Sequence, residues 1–417
     1  MRVSNFADGG AVVTIGRLGL RGEGLPVDRA QGAVPFTLPG ERVKVASAPG
    51  ETSVTEILEP SPDRVPPVCP HFGACGGCAL QHWRDGPYLE WKKSLVAAEL
   101  EKAGIAYPPF DIASYPVPSR RRVSLTADME GGRVFLGYRQ ARSHALVAID
   151  VCPILTPTLQ ASIGPLRQAL ATIGISRGSW RIALTEVANG IDCAIEVASG
   201  QASPPHIVGA FADTPFIRVG ANGETVLLRD TPVCRMGKVQ VPLPPGAFLQ
   251  AVEACERDLA RFARDVLSDA LKPKAQVCDL FAGLGAFAFP LAELYAVTAV
   301  EGDRLATAAL EQAAKSTVGI RPVTALRRDL FRNPLSAMEL KPFKAAVCDP
   351  PFQGAEAQMQ ALAGSKVELV VSVSCNPQTF ARDARHLTAA GFKLTQLRAF
   401  DQFRFSPNIE IAAAFTR

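Results

Sequence analysis

No stretch of this chain approaches the roughly 18 consecutive apolar residues that a membrane-spanning helix requires, so no membrane span is expected. The opening, MRVSNFADGG, also lacks the continuous apolar core of a secretory signal, and the expected location is the cytoplasm. An excess of charge is missing as well. Forty-four lysines and arginines face 40 acids, a net charge of +4, which permits a polyanionic partner without requiring one. Internal repeats and low-complexity tracts are absent, which argues against a repeat architecture and against disorder. What remains, 47% hydrophobic and 20% charged residues, is the composition of an ordinary globular protein. Its 417 residues exceed the range of one hydrophobic core, so two or three domains are expected.

Cysteine is the exception to this even composition. Of ten cysteines, three fall in CPHFGACGGC, Cys69 to Cys78, and the others are scattered singly. In a reducing cytosol such clustering points to metal binding or catalysis rather than to disulfides. Thiolates suit zinc, with His71 and His82 as further ligands, or an iron–sulfur cluster. The spacing is C-x5-C-x2-C, not the C-x3-C-x2-C usual in radical enzymes. A second local departure is basic. Between Ser119 and Val147, Arg120, Arg121, Arg122, Arg133, Arg139 and Arg142 face only Asp128 and Glu130, leaving a local +4, a candidate phosphate-contacting strip.

Four regions are expected. Residues 1–62 hold short alternating runs (GAVVTIG, GAVPFTL, ERVKVASA) between Gly, Asp and Pro, the pattern of a small antiparallel β-barrel. Residues 63–104 carry the cysteine loop and a helix ending near Gly104, and residues 105–238 read as a central α+β region. From 239 to 417 short apolar strands alternate with helices: QVCDLFAG, AVTAVEG, VTALRRD, KAAVCDPP, VELVVSVSC. Such continuous runs suit parallel strands buried on both faces, so the fold class is α/β with a doubly wound domain at this end.

The chemistry-bearing motifs sit in that last region. DLFAGLGAF places Asp279, Gly283 and Gly285 at a strand-to-helix turn, and Glu301 closes the next strand, where a carboxylate can accept ribose hydroxyls. The glycines do not follow G-x-G-x-x-G, so a nucleoside without a pyrophosphate fits better. The pattern resembles the first motifs of class I S-adenosylmethionine methyltransferases. CDPPF puts Asp349 at the carboxyl edge of the sheet and by itself resembles amino-group methyltransferases. VSCNPQTFARD places Cys375 against a helix opened by Asn376 and Pro377, where the helix dipole is expected to lower the thiol pKa. Amino-group methylation needs no thiolate; attack on a pyrimidine ring does.

Together DLFAGLGAF, DPPFQGA, SVSCNPQTFARD and the late DQFRFSPNIE resemble the RNA uridine-5-methyltransferase family across essentially the whole chain. The resemblance implies S-adenosylmethionine as cofactor, Cys375 as the nucleophile and Glu410 as the base. It places Gln250, Asp279, Gly283, Gly285, Glu301, Asp329 and Asp349 around cofactor and uracil. It implies a TRAM RNA-binding domain in the first sixty or so residues, whose first 62 carry six basic and seven acidic side chains. In cluster-bearing members a distant fourth cysteine precedes a proline; here the set is Cys69, Cys75, Cys78 and Cys152, and it implies a [4Fe-4S] cluster. This combination is most similar to members acting on 23S ribosomal RNA, with transfer RNA second, and a monomer is expected. An inactive cluster-containing RNA-binding protein is the alternative of another class, against which the presence of Cys375 and Glu410 argues. The chain departs from the family pattern at Val252, Phe405 and Asn408.

Overall fold

The computed structural model describes residues 10–28, 32–48, 51–130, 133–141, 143, 145–174, 179–196 and 203–417. At the N-terminal end β1 (Ala11–Leu18), β2 (Gly24–Pro26), β3 (Arg42–Ala48) and β4 (Glu51–Glu59) form a four-stranded antiparallel sheet in the order β2-β1-β3-β4. Alternation along the strands points Val13, Ile15, Val43 and Val45 into one small core. The Glu41 carboxylate ties this sheet to the segment after β4, accepting from the Arg64 guanidinium at 2.5 Å and from the Leu38 and Ser61 backbone.

The cysteine loop leads into α1 (Asp85–Lys102), which a left-handed Gly104 ends at φ +70°. Next comes β5 (Ile112–Ser114). A seven-stranded central sheet comes after it, made of β6 (Arg122–Glu130), β7 (Arg133–Arg139), β8 (Leu146–Ala148), β9 (Ser179–Val187), β10 (Gly190–Glu196), β11 (Phe216–Ala221) and β12 (Glu224–Leu228), in the order β12-β11-β10-β9-β6-β7-β8. The helices α2 (Pro157–Ile173) and α3 (Pro204–Ala210) cover it. A hairpin of β13 (Val233–Met236) and β14 (Val239–Pro242) leads to the C-terminal half.

There α4 (Glu253–Ala270), β15 (Gln276–Leu280), α5 (Ala288–Leu291), β16 (Ala296–Glu301), α6 (Arg304–Ser316), β17 (Val323–Arg327), β18 (Ala345–Cys348), α7 (Glu356–Ala363), β19 (Leu369–Ser374), α8 (Pro377–Ala389), β20 (Lys393–Asp401) and β21 (Glu410–Thr416) alternate as expected. The sheet order is β17-β16-β15-β18-β19-β21-β20-β5. Its first five strands are parallel, and β21 enters antiparallel between β19 and β20. β18 and β19 are buried at every residue, which is why they read as unbroken apolar runs.

The C-terminal sheet reaches across the expected boundary at 104/105. Ile112–Ser114 adds a parallel strand beside β20, and Val96, Leu100 and Ile105 share a core with Ile411, Ala413 and Phe415. The C-terminal domain is thus completed by chain from before the central sheet. A three-residue strand carries too little periodicity for sequence to reveal this.

Candidate active site

The carboxyl ends of β15, β18 and β19 face β6 and β9 across a cavity of about 1030 Å³. Its wall includes Gln250, Gly283, Glu301, Asp329, Asp349, Cys375 and Glu410, and also Cys69, Cys75, Cys78 and Cys152. One space therefore joins the two groups of residues singled out in the sequence, which lie far apart along the chain.

The glycine turn divides its labour. Gly283, at φ +54°, has open space where a Cβ would stand, and its N–H donates to Glu301 Oε2 at 2.8 Å. Glu301 Oε1 accepts from Asp303 N at 2.7 Å, so this carboxylate is oriented by backbone while still facing the cavity. Gly285, at φ +89°, does not line the cavity; a Cβ there would come within 2.6 Å of the Phe289 ring. Its requirement comes from packing, not from a ligand. Asp279 likewise lies beneath the turn, wholly buried and off the cavity wall. Burial first, then the Asp349 charge, pushes its pKa well up, and among the described residues neither of its carboxyl oxygens has a hydrogen-bond partner. Across the turn the Phe281 and Phe331 rings stand 5.1 Å apart, and Asp329 Oδ1 accepts from Phe331 N at 3.0 Å.

Cys375 directly follows β19. Asn376 caps α8 by accepting from Gln378 N at 3.0 Å, with Pro377 at the first helical position. The helix start is as expected, but the lowered thiol pKa is not. Burial, followed by the Glu410 and Asp349 charges, pushes Cys375 up to about 12. Two carboxylates and exclusion of water outweigh one helix terminus. Asp349 is itself raised to about 7, chiefly by burial. Glu410, the first residue of β21, is raised well above the usual range by burial and then by Asp349, against the pull of a bond from Gln402.

The arginine strip changes character. Arg121 is buried, pairs with Glu256 at 2.7 Å and donates to the Gln250 carbonyl at 3.1 Å. It is unavailable to a phosphate, because burying a guanidinium requires a partner that occupies it. It fixes the backbone of Gln250 instead. Arg122 donates to the Leu249 carbonyl and lies over the Phe248 ring, 4.9 Å from its centroid. Arg120 and Arg122 line the cavity. Arg139 pairs with Asp128 at 2.9 Å. Arg142 lies outside the described residues.

At the other end all four cysteines are free thiols. Burial pushes Cys78 up to about 12, and the charges of Cys152, Cys75 and Cys69 add to the rise. Tyr138 Oη stands 3.7 Å from Cys152 Sγ, and Gly77 N–H lies 3.4 Å from Cys75 Sγ. Among the described residues no three His, Cys, Asp or Glu side chains are drawn close enough to close on a metal ion. His82 is packed between the Phe36 and Phe72 rings, at 6.5 and 5.3 Å, and burial lowers its pKa to about 4.

Residues 238–417 match the model of the family described as tRNA (uracil-5-)-methyltransferase. Along its whole length the chain is similar to RNA methyltransferases. It is 41% identical to one of Caulobacter vibrioides, over 97% of this chain and 99% of that one. It is 32% identical to the 23S rRNA (uracil(1939)-C(5))-methyltransferase RlmD of Halomonas elongata, over 94% and 86%. The chain belongs to the RNA uracil-5-methyltransferase family. Its fold is that of Pyrococcus abyssi tRNA (uracil-54, C5)-methyltransferase, solved with S-adenosyl-L-homocysteine, at a TM-score of 0.77 and 20% identity over 97% of this chain and 99% of that one. Membership sets aside the amino-group reading of CDPPF.

Within this RNA methyltransferase, sequence reasoning missed Gln402. The residue was in view inside DQFRFSPNIE, but its partners lie on other elements: Gln402 Nε2 meets Glu410 Oε2 at 2.6 Å and Gln250 Oε1 at 2.7 Å. Nothing in a single sequence marks such a bridge. Phe405 is buried at φ +63°, and its carbonyl accepts from Ala79 and Leu80 N at 2.9 and 3.1 Å. The segment before Glu410 is thereby bonded to the cysteine loop.

Proposed function

We propose that the chain methylates carbon 5 of a uridine in 23S ribosomal RNA, with Cys375 as nucleophile, Glu410 as base and S-adenosylmethionine as cofactor. The observation that carries this is the meeting of Cys375, Glu410 and Asp349 on one cavity wall beside the glycine turn. Similarity to RlmD over nearly the full chain favours 23S RNA. Transfer RNA is the second reading, favoured by the family model and by the substrate of the structural neighbour.

The residues fit the cofactor: the Phe281–Phe331 pair offers an apolar face for an adenine, Glu301 offers acceptors for ribose hydroxyls, and Gly283 leaves room. Bound there, S-adenosylmethionine supplies an electrophilic methyl group on a positively charged sulfur. That charge would oppose the rise that burial and then the two carboxylates give the thiol pKa. The Cys375 thiol would give its proton to solvent in the cavity as its Sγ adds to carbon 6 of the uracil. The ring would become an enolate whose carbon 5 takes the methyl group, the methyl–sulfur bond breaking with its electron pair left on the cofactor's sulfur, which departs as a neutral thioether. Glu410 then removes the carbon 5 proton; the electrons of that bond restore the 5,6 double bond and expel Sγ as thiolate. A base within folded RNA must be flipped out to reach this wall.

The four cysteines fit a [4Fe-4S] cluster. All are free, they line the same cavity, and the charges of Cys69, Cys75 and Cys152 all act on Cys78. Held by Cys69, Cys75, Cys78 and Cys152, such a cluster would supply the positive charge that keeps the four thiolates ionised. The N-terminal sheet is the proposed TRAM domain, and Arg120 and Arg122 are the remaining candidates for RNA contact.

The test uses 23S and transfer RNA from a strain lacking the gene, with methyl-labelled cofactor. The expected product is 5-methyluridine in 23S RNA. Glu410→Gln should accumulate a covalent methylated RNA–protein adduct that Cys375→Ser cannot form. Label only in transfer RNA moves the substrate to the second reading, and normal turnover by Cys375→Ser overturns the mechanism.

A further inference from the structure

The hydrogen-bond chain beside Glu410 has a direction that can be read without ambiguity. The Ala251 N–H is a backbone donor and gives its hydrogen to Gln402 Oε1 at 3.1 Å. That fixes which end of the Gln402 amide is oxygen, a choice that side-chain geometry alone leaves open. The Gln402 NH₂ must then face its other two neighbours, Glu410 Oε2 at 2.6 Å and Gln250 Oε1 at 2.7 Å. Both hydrogens are engaged. Because Gln250 Oε1 accepts, the Gln250 NH₂ points the other way, to Asp349 Oδ2 at 3.2 Å. One backbone N–H thus sets a row in which each glutamine donates to one carboxyl, Gln402 to the buried Glu410 and Gln250 to the half-buried Asp349.

Glu410 and Gln402 are each about 2% exposed, so water does not substitute for this donor. With Oε2 engaged by Gln402, the oxygen left for chemistry on the cavity side is Oε1. We propose that Gln402 is a positioning residue for proton removal: by engaging Oε2 it fixes the orientation of the Glu410 carboxylate and presents Oε1 to the carbon 5 proton. After transfer the proton resides on Oε1, and Oε2, now the carbonyl oxygen of the acid, still accepts from Gln402. The base therefore keeps its orientation through the step and needs no rearrangement before release of Sγ.

This inference rests on the reading of Glu410 as base, and the test separates the two. Gln402→Met keeps the length of the side chain and removes the donor. Charged and titratable groups facing Glu410 are Asp349 after β18, Cys375 after β19 and Cys255 on α4; among the described residues the side-chain hydrogen bond that Glu410 accepts comes from Gln402 and from none of these three. Without the Gln402 donor, the Glu410 pKa rises further. Resolution of the methylated adduct should shift to higher pH by about one unit, so that well below both midpoints it is about tenfold slower. Formation of the adduct in a single turnover should change less than threefold, and resolution should recover at high pH. A residue with only a structural role would slow adduct formation and resolution together at every pH. Gln402→Glu, which places a like charge beside Glu410, should shift the profile further in the same direction. Normal resolution by Glu410→Gln defeats the reading of the base. Adduct accumulation by Glu410→Gln with a wild-type profile for both Gln402 variants defeats this inference alone. Should Gln402→Met melt well below the wild type, an unshifted Gln402→Glu profile is equally fatal to it.

Discussion

The two ends of the cavity are built on opposite terms. At the catalytic end, Gln250, Gln402 and Glu301 have defined donors and acceptors, and each reacting group stands at the end of a buried strand or at a helix cap. At the cysteine end, the thiols sit outside helices and strands, and thiolates at Cys75, Cys78 and Cys152 would be opposed by burial and by their neighbours. The first arrangement is preorganised by the fold, so that its groups lose little freedom when substrate arrives. The second is one that proximity of like charges opposes, and a multivalent cationic group reverses that opposition. Rigidity at one end comes from hydrogen bonds; at the other, under the proposed cluster, it would come from ligation.

The sharpest way to break this comparison is to remove one thiol. Cys78→Ala should leave an anaerobically purified protein depleted of iron and acid-labile sulfide, with the visible absorption of the cluster lost or rapidly bleached. The melting temperature should fall by several degrees, because a ligated loop is bonded to the segment around Phe405. Cofactor binding, measured by calorimetry, should change little. Stoichiometric zinc without sulfide in the wild type would show that the cysteine end is built for a different metal.

A smaller effect separates packing from binding within the catalytic end. Gly285→Ala combines φ +89° with a Cβ 2.6 Å from the Phe289 ring, and should cost about 2–3 kcal/mol in denaturant unfolding. Gly283→Ala meets open space, so it should cost about 1 kcal/mol of stability while weakening cofactor affinity more than Gly285→Ala does. The reverse order would mean that the ligand approaches Gly285 and that the turn has been assigned the wrong way round.

Much of this was legible in the sequence, for identifiable reasons. Parallel strands buried on both faces leave unbroken apolar runs, and the Asn376–Pro377 pair announces a helix start, so the positions of Cys375, Asp349 and the glycine turn could be read directly. What stayed hidden depends on neighbours distant in sequence. Arg121 looked like a surface cation because Glu256 is far along the chain. The Cys375 thiol looked acidic because only the adjacent helix was visible, and not the two carboxyls that the sheet brings beside it. Gln402 acquires its role only through Gln250 and Glu410.

The smallest effect tests whether the hydrogen bonds of the catalytic end fully offset burial of its charges. Asp349 has a folded pKa of about 7 against an ordinary 3.8. Below pH 4 both folded and unfolded chains carry the proton, and the stability associated with it is complete. Between about pH 4 and 7 the unfolded chain releases the proton while the folded chain retains it, so this contribution falls as pH rises and is lost above 7. Asparagine does not titrate and can still accept from Gln250. Asp349→Asn should therefore be more stable relative to wild type at pH 8 than at pH 5, by about 1–2 kcal/mol after allowance for solvent reaching the carboxylate. It should lose activity at both. Denaturant unfolding at the two pH values gives the difference directly. An equal change at pH 5 and pH 8 would mean that the carboxylate is already charged in the folded protein at pH 5, and that its hydrogen bond from Gln250 offsets burial.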